Sequence, residues 1–120
     1  MTERRFQQRH SAAPLKLTLR RQYWLGLQGR ESEAIGRDFS RSGIAVFSQQ
    51  RWRPGSLVLI NLESSDHRLA AVPAELLRCE ANGSEYVCAL RFRLDHLSDN
   101  ARQAVDTVLQ RLQHTLDSAA

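Results

Sequence analysis

No stretch of this 120-residue sequence stays apolar for longer than a β-strand; runs such as Ile44 to Phe47 and Leu57 to Ile60 are strand-length. Nothing approaches the roughly 20 apolar residues of a membrane-spanning helix, so no membrane association is expected. The first ten residues are polar and basic, which predicts no secretory leader. Two cysteines in such a chain do not suggest a disulfide scaffold, and a cytoplasmic location is expected. The histidines, His10, His67, His96 and His114, are scattered, and none has a cysteine or carboxylate at metal-ligand spacing. There is no glycine-rich phosphate loop and no nucleophile elbow. Neither an enzyme nor a resident metal or cofactor is therefore expected. Internal repeats and low-complexity segments are also missing.

What is present is the composition of one globular domain, 42% hydrophobic and 25% charged. Lysine is almost absent, with one residue against 16 arginines. GC-rich codon usage produces such a bias, and so does a need for planar forks that grip phosphate and guanine. The charge is also unevenly placed. Residues 1–53 carry a balance of +7, and residues 54–120 a balance of −3. The first half is thus suited to an anionic partner: nucleic acid, a nucleotide or a lipid surface.

Residues 1–13 show no apolar periodicity and read as a mobile basic arm. Alternation begins after Pro14, where Leu15, Leu17 and Leu19 interleave with Lys16, Thr18 and Arg20. Further strands are expected over Tyr23 to Leu27 (ending at Gln28-Gly29), Ala34 to Phe39, Ile44 to Ser48 and Leu57 to Leu62. A hairpin tip is expected near Ser40 to Gly43 and a turn at Pro54-Gly55. The segment His67 to Glu80 contains Pro73, which predicts a bulge or an edge position there. Asn82-Gly83 reads as a two-residue hairpin loop followed by a strand from Tyr86 to Arg93. After Leu94 the period becomes 3.6: Ala101, Ala104, Val105, Val108, Leu112 and Leu116 form a stripe, with Ser98 as N-cap. The pattern predicts a mainly β fold, a small six- to seven-stranded antiparallel barrel over residues 14–97 with an amphipathic helix over 98–117.

With Asn82-Gly83 as the loop, Cys79 faces Tyr86 and Cys88 faces Leu77. The thiols then lie on a diagonal about 7–8 Å apart, too far for an unstrained disulfide, and are expected buried and reduced. Trp52 stands between Arg51 and Arg53, an interleaving found in nucleic-acid binders; the plainer reading is a loop tryptophan covering one end of the barrel. Tyr23 and Trp24 are adjacent, so a strand there turns one inward and one outward.

Two clusters carry more. Arg5-Phe6-Gln7-Gln8-Arg9 is an RxxxR run preceded by Arg4, and Asp38-Phe39-Ser40-Arg41-Ser42-Gly43 is a DxSxxG run at a hairpin. As an ordinary turn, the second has Asp and Ser bonding their own backbone and Gly supplying a positive φ. In this order, ahead of a barrel-like strand series, the two runs resemble the PilZ domain family. Pro54-Gly55 with Leu57-Val58-Leu59, the strand Glu85 to Phe92, and Leu97-Ser98-Asp99 opening a helix are similar to that family as well. Ala89 departs from it, standing where the family commonly has Gly, a difference expected to touch packing and leave the binding motif alone.

The resemblance implies a split-barrel receptor for cyclic di-GMP that passes a signal to a protein effector. The residue types suit that ligand: arginine forks match guanine O6 and N7 and reach phosphates, and a carboxylate accepts from guanine N1–H and N2–H₂ together. On this resemblance Arg5 and Arg9 clamp the ligand from the arm, Asp38 and Ser40 read it from the rim, and Gly43 permits the turn and a close backbone approach. Arg78 falls where some members place a stacking side chain. In the family the residue before RxxxR influences stoichiometry; with Arg4 there, two ligands per chain are expected. No DNA or RNA partner is expected, and a monomer is the default. The rival readings are a PilZ-like protein-interaction module without nucleotide and a basic nucleic-acid-binding barrel.

Overall fold

A computed structural model describes residues 10–11, 16–22, 28–64 and 67–119. The elements are β1 (His10–Ser11), β2 (Lys16–Gln22), β3 (Gln28–Ser40), β4 (Gly43–Ser48), β5 (Leu57–Glu63), β6 (Arg68–Asn82), β7 (Glu85–Phe92), a 3-10 turn (Leu94–His96) and α1 (Asp99–Ala119). All strand pairings are antiparallel, in the order β1-β3-β2-β5-β6-β7-β4. Pairing of β3 with β4 closes the last six into a barrel, while β1 pairs with β3 beyond the end of β2. This is the mainly β barrel with a C-terminal helix that the pattern predicts. Among the described residues no helix is long and apolar enough to cross a membrane.

Alternation places the core. Leu17 and Leu19 of β2 oppose Leu62 and Ile60 of β5, and all four point inward. Phe39 and Phe92 meet in the interior with ring centroids 6.1 Å apart and planes at 57°. α1 adds Leu109 and Leu112 to the same core. The expected stripe is therefore off by part of a turn: Ala104 is exposed, and Leu109, which the stripe omits, is fully buried. The side chain of Leu116 lies outside the described residues. Ser98 caps the helix, its Oγ accepting the Ala101 N–H at 3.3 Å.

Several expectations need correction. The strand expected over Tyr23 to Leu27 lies outside the described residues, but Gln28-Gly29 does not end a strand; it begins β3, with Gln28 opposite Gln22. The polar start of β3 is held by cross-strand pairing, including an ion pair between Arg20 and Glu31. Pro73 is neither at an edge nor at a bulge. β6 bulges two residues earlier, at Ala70-Ala71, and again at Leu77. Pro73 is tolerated inside the barrel because its carbonyl accepts the Arg93 N–H (2.8 Å), so its nitrogen faces the point where β7 has already ended. The β6–β7 loop is Gly83-Ser84, with Gly83 at φ 65, the sign pattern of a type II′ turn. That moves the register by one, and Cys79 stands directly opposite Cys88. Their sulfurs are 3.3 Å apart, not on a distant diagonal, and both are free thiols. Burial, with the neighbouring Cys79, pushes the Cys88 thiol up to about 12.

Past β7, Arg93 grips Asp95 through two parallel bonds, Nε–Oδ1 at 2.9 Å and Nη2–Oδ2 at 2.8 Å. It also donates to Glu75 Oε1, the same oxygen to which Arg91 donates. Hydrogen bonding from Arg93 lowers the Asp95 carboxyl from 3.8 to about 2, and Arg91 chiefly lowers Glu75 from 4.5. Both carboxyls bind protons less readily when folded, so their contribution is complete above pH 4.5 and is lost as pH falls towards about 2. Thermal melts should show the parent more stable than Arg93→Gln at pH 7, with the gap closing over that acidic window. A gap that persists unchanged at pH 2 would assign it to packing of the Arg93 stem.

Candidate functional site

β3 does not keep one face throughout. Ala34 and Gly36 oppose Ser48 and Val46 on the inward side, but Asp38, not Arg37, opposes Ala45. The extra residue at Arg37 is a β-bulge, and it exchanges the faces of residues 38–40. Phe39 turns into the core opposite Ile44, while Asp38 and Ser40 come to the outer side. The bulge at Leu77 does the same in β6: Leu76 stays inward opposite Leu90, and Arg78 moves outward opposite Ala89.

The registers then line up one outer row across four strands. Asp38 of β3 opposes Ala45 of β4, Ala45 opposes Ala89 of β7, and Ala89 opposes Arg78 of β6. A carboxylate and a guanidinium stand at the ends of this row, three strand spacings or about 14 Å apart. Only two methyl side chains lie between them. Ala89 is thus part of the row itself, and its methyl group lies on the surface between the two charged residues rather than away from them. The next outer row contains Ser40, Gly43, Arg91 and Glu75.

The Ser40 to Gly43 turn is tightly fixed. Ser40 is buried, and its Oγ lies 3.1 Å from that of Ser42. The Ser42 carbonyl accepts the Phe92 N–H at 2.9 Å. Gly43 does not have a positive φ, contrary to the turn reading; among the described glycines only Gly55 and Gly83 do. What requires glycine at position 43 is space. A Cβ there would lie 2.3 Å from the Leu90 carbonyl oxygen and 3.3 Å from the Arg91 Cα. Asp38 lies beside Arg37, Oδ2 to Nε at 3.2 Å, with its side chain 15% exposed. Arg41, at the variable position of the turn, reaches both oxygens of Asp106 on α1 at 3.1 and 3.2 Å. No sequence signal marks that contact between residues 65 apart.

Arg4, Arg5 and Arg9 lie outside the described residues. Immediately after Arg9, however, β1 is paired with β3, His10 opposite Phe39 and Ser11 opposite Asp38. The segment read as an arm therefore meets the DxSxxG strand at residues 10–11. Trp52 takes the plainer of its two expected roles. It is 4% exposed and its Nε1–H donates to Ser48 Oγ at 3.1 Å, so it closes one end of the barrel. Among the described residues no group of three or more His, Cys, Asp or Glu side chains is placed to hold a metal ion.

Comparison with known proteins agrees with this architecture. The sequence profile of the PilZ domain matches residues 3–111. Among solved structures, Escherichia coli YcgR in complex with c-di-GMP aligns over 98% of this chain and 48% of its own, at 17% identity and a TM-score of 0.68. The chain thus spans about half of that protein. The PilZ domain of YcgR from Escherichia coli with c-di-GMP aligns over 98% of this chain and 94% of its own, at 17% identity and a TM-score of 0.65. The Bacillus subtilis inhibitor of motility (MotI/DgrA) aligns over 95% of this chain and 53% of its own, at 16% identity and a TM-score of 0.62. No curated protein sequence matches.

Proposed function

This chain belongs to the PilZ domain family, and from that premise we propose that it is a cytoplasmic, non-catalytic receptor for cyclic di-GMP that signals to a protein effector. One observation supports the reading: β1, the two residues that follow RxxxR in the sequence, pairs with the DxSxxG strand, with Ser11 opposite Asp38. Arg5 and Arg9 supply forks for guanine and phosphate, and Asp38 accepts the paired donors on a guanine edge. Ser40 fixes the turn and offers a hydroxyl. Arg78 closes the far end of the outer row, where its planar group can stack on a base beside the half-buried Ala89. Closure of the arm over this rim changes the surface shown to the effector, provided the ligand prefers the closed state. The Arg41–Asp106 pair fastens α1 to the same turn. Calorimetric titration with cyclic di-GMP, beside GTP, cyclic di-AMP and single-stranded DNA, tests the reading. Preference for DNA with a steep salt slope would make the chain a nucleic-acid binder, and no binding at all would make it a protein-interaction module.

Arg4 bears on stoichiometry. A further guanidinium beside RxxxR can stack on a second guanine and offset repulsion between two dianionic ligands. Two cyclic di-GMP molecules per monomer are expected, and one after Arg4→Leu. The difference should survive at 1 M salt, where the Debye length is about 3 Å and a diffuse field no longer acts. Saturation at one ligand in both proteins would show that Arg4 does not set the count.

A further inference from the structure

The opposite end of the barrel carries a second cationic feature that the cyclic di-GMP reading does not use. The inward series of β2 runs Leu17, Leu19, Arg21, with Arg21 opposite the buried Val58 of β5. Where the apolar core ends, the series therefore ends in a guanidinium. Across from it β3 bulges at Gly29-Arg30, since Arg20 opposes Glu31 but Gln22 opposes Gln28. Arg21, Arg30, Arg51 and Arg53, from three separate chain segments, line one recess of about 350 Å³ with Ser32 and Gln50. The recess is prearranged. Ser48 Oγ accepts the Gln50 N–H at 3.0 Å and the Trp52 indole N–H at 3.1 Å, and Ser32 Oγ donates to Gln50 Oε1 at 2.7 Å.

Most arginines elsewhere on the barrel and helix have acidic neighbours, among them Arg41 with Asp106, Arg68 with Glu63, Arg93 with Asp95 and Arg102 with Asp99; among the described residues Arg78 and Arg111, which stand apart from one another, do not. Arg30, Arg51 and Arg53 have none among the described residues. Converging like charges in a concave site repel one another and focus a positive potential, which an arriving anion relieves. We propose that this recess is a docking site for a carboxylate-rich segment of a partner protein. Arginine forks pair with carboxylates two bonds at a time, and the recess has room for one or two such side chains. A polynucleotide fits less well. The aromatic ring at the site, Trp52, is 4% exposed, so it offers no face for a base.

The site is separate from the proposed nucleotide rim. β3 carries Arg30 at one end and Asp38 at the other, eight residues or roughly 25 Å apart. The inference therefore stands independently of cyclic di-GMP binding, and both sites can be filled at once. A fluorescein-labelled ten-residue peptide of alternating glutamate and glycine is the probe, read by anisotropy on the full chain. The expected result is saturable binding that Arg51→Ala/Arg53→Ala weakens about ten-fold and Arg30→Ala about three-fold, since these are partly exposed charge pairs. Arg102→Ala/Arg111→Ala, which removes the same net charge from α1, should leave affinity within about two-fold. Saturating cyclic di-GMP should do likewise. Equal weakening in both double variants would reduce the effect to general charge, and absence of peptide binding would overturn the site. Tighter, Arg51- and Arg53-dependent binding of a thymidine decamer would reassign it to nucleic acid.

Discussion

Replacing Asp38 by alanine is expected to weaken cyclic di-GMP binding by about 1.5–3 kcal/mol, roughly 10- to 150-fold, the range for hydrogen bonds to charged groups. Arg5→Ala and Arg9→Ala should fall in the same range. The reason for so large an effect at Asp38 is chemical: one carboxylate accepts two guanine donors at once, and alanine leaves both unmatched. The fold should be little affected. Asp38 lies on the outer face, its described ion pair is with the exposed Arg37, and its backbone pairing to Ser11 and Ala45 needs no side chain. Calorimetry measures the affinities, and circular dichroism melts check the fold. If any two of the three variants bind as tightly as the parent, arm and rim do not form one site.

Gly43→Ala should cost stability rather than affinity alone. The added methyl would come 2.3 Å from the Leu90 carbonyl oxygen, a contact with backbone that no side-chain rotation relieves. β4 and β7 would have to separate where Gly43 opposes Arg91, near the seam that closes the barrel. Overpacking of this kind costs about 1–3 kcal/mol, and a backbone clash belongs at the upper end. Urea denaturation should show a loss of about 3 kcal/mol. A loss well under 1 kcal/mol would mean that the two strands part easily. Ligand binding should weaken as well, because the Ser40 to Gly43 turn is anchored at this contact.

The strands most visible in the sequence are those where alternation coincides with burial, such as Leu17-Thr18-Leu19 and Leu57 to Leu62. The Ser40 to Gly43 hairpin and the α1 boundary were visible through turn and capping chemistry. The two motif runs were visible through resemblance. The start of β3 was not, because Arg30 to Glu33 contains no apolar residue and its order comes from pairing with β2. Neither were the bulges at Arg37 and Leu77, since an unpaired residue in a strand has no compositional mark. That omission hid the row joining Asp38 to Arg78. It was also the one-residue choice between Asn82-Gly83 and Gly83-Ser84 that separated the predicted thiol diagonal from the observed 3.3 Å contact. In both cases the geometry is decided by the count across the sheet, which no residue type marks.

A strand assigns its faces by counting, and at Arg37 β3 loses count once. The two stretches on either side consequently have independent phase. Residues 31–36 keep step with β2 and the apolar interior, whereas residues 38–40 keep step with the turn that ends the strand. A chain one residue shorter at this point would carry Asp38 and Ser40 into the apolar interior and expose Phe39 to water. The burden would be an unpaired buried carboxylate together with a missing aromatic ring. Arg37 thus matters more as a place in the sequence than as a side chain: almost any residue can occupy it, but the position itself cannot be removed.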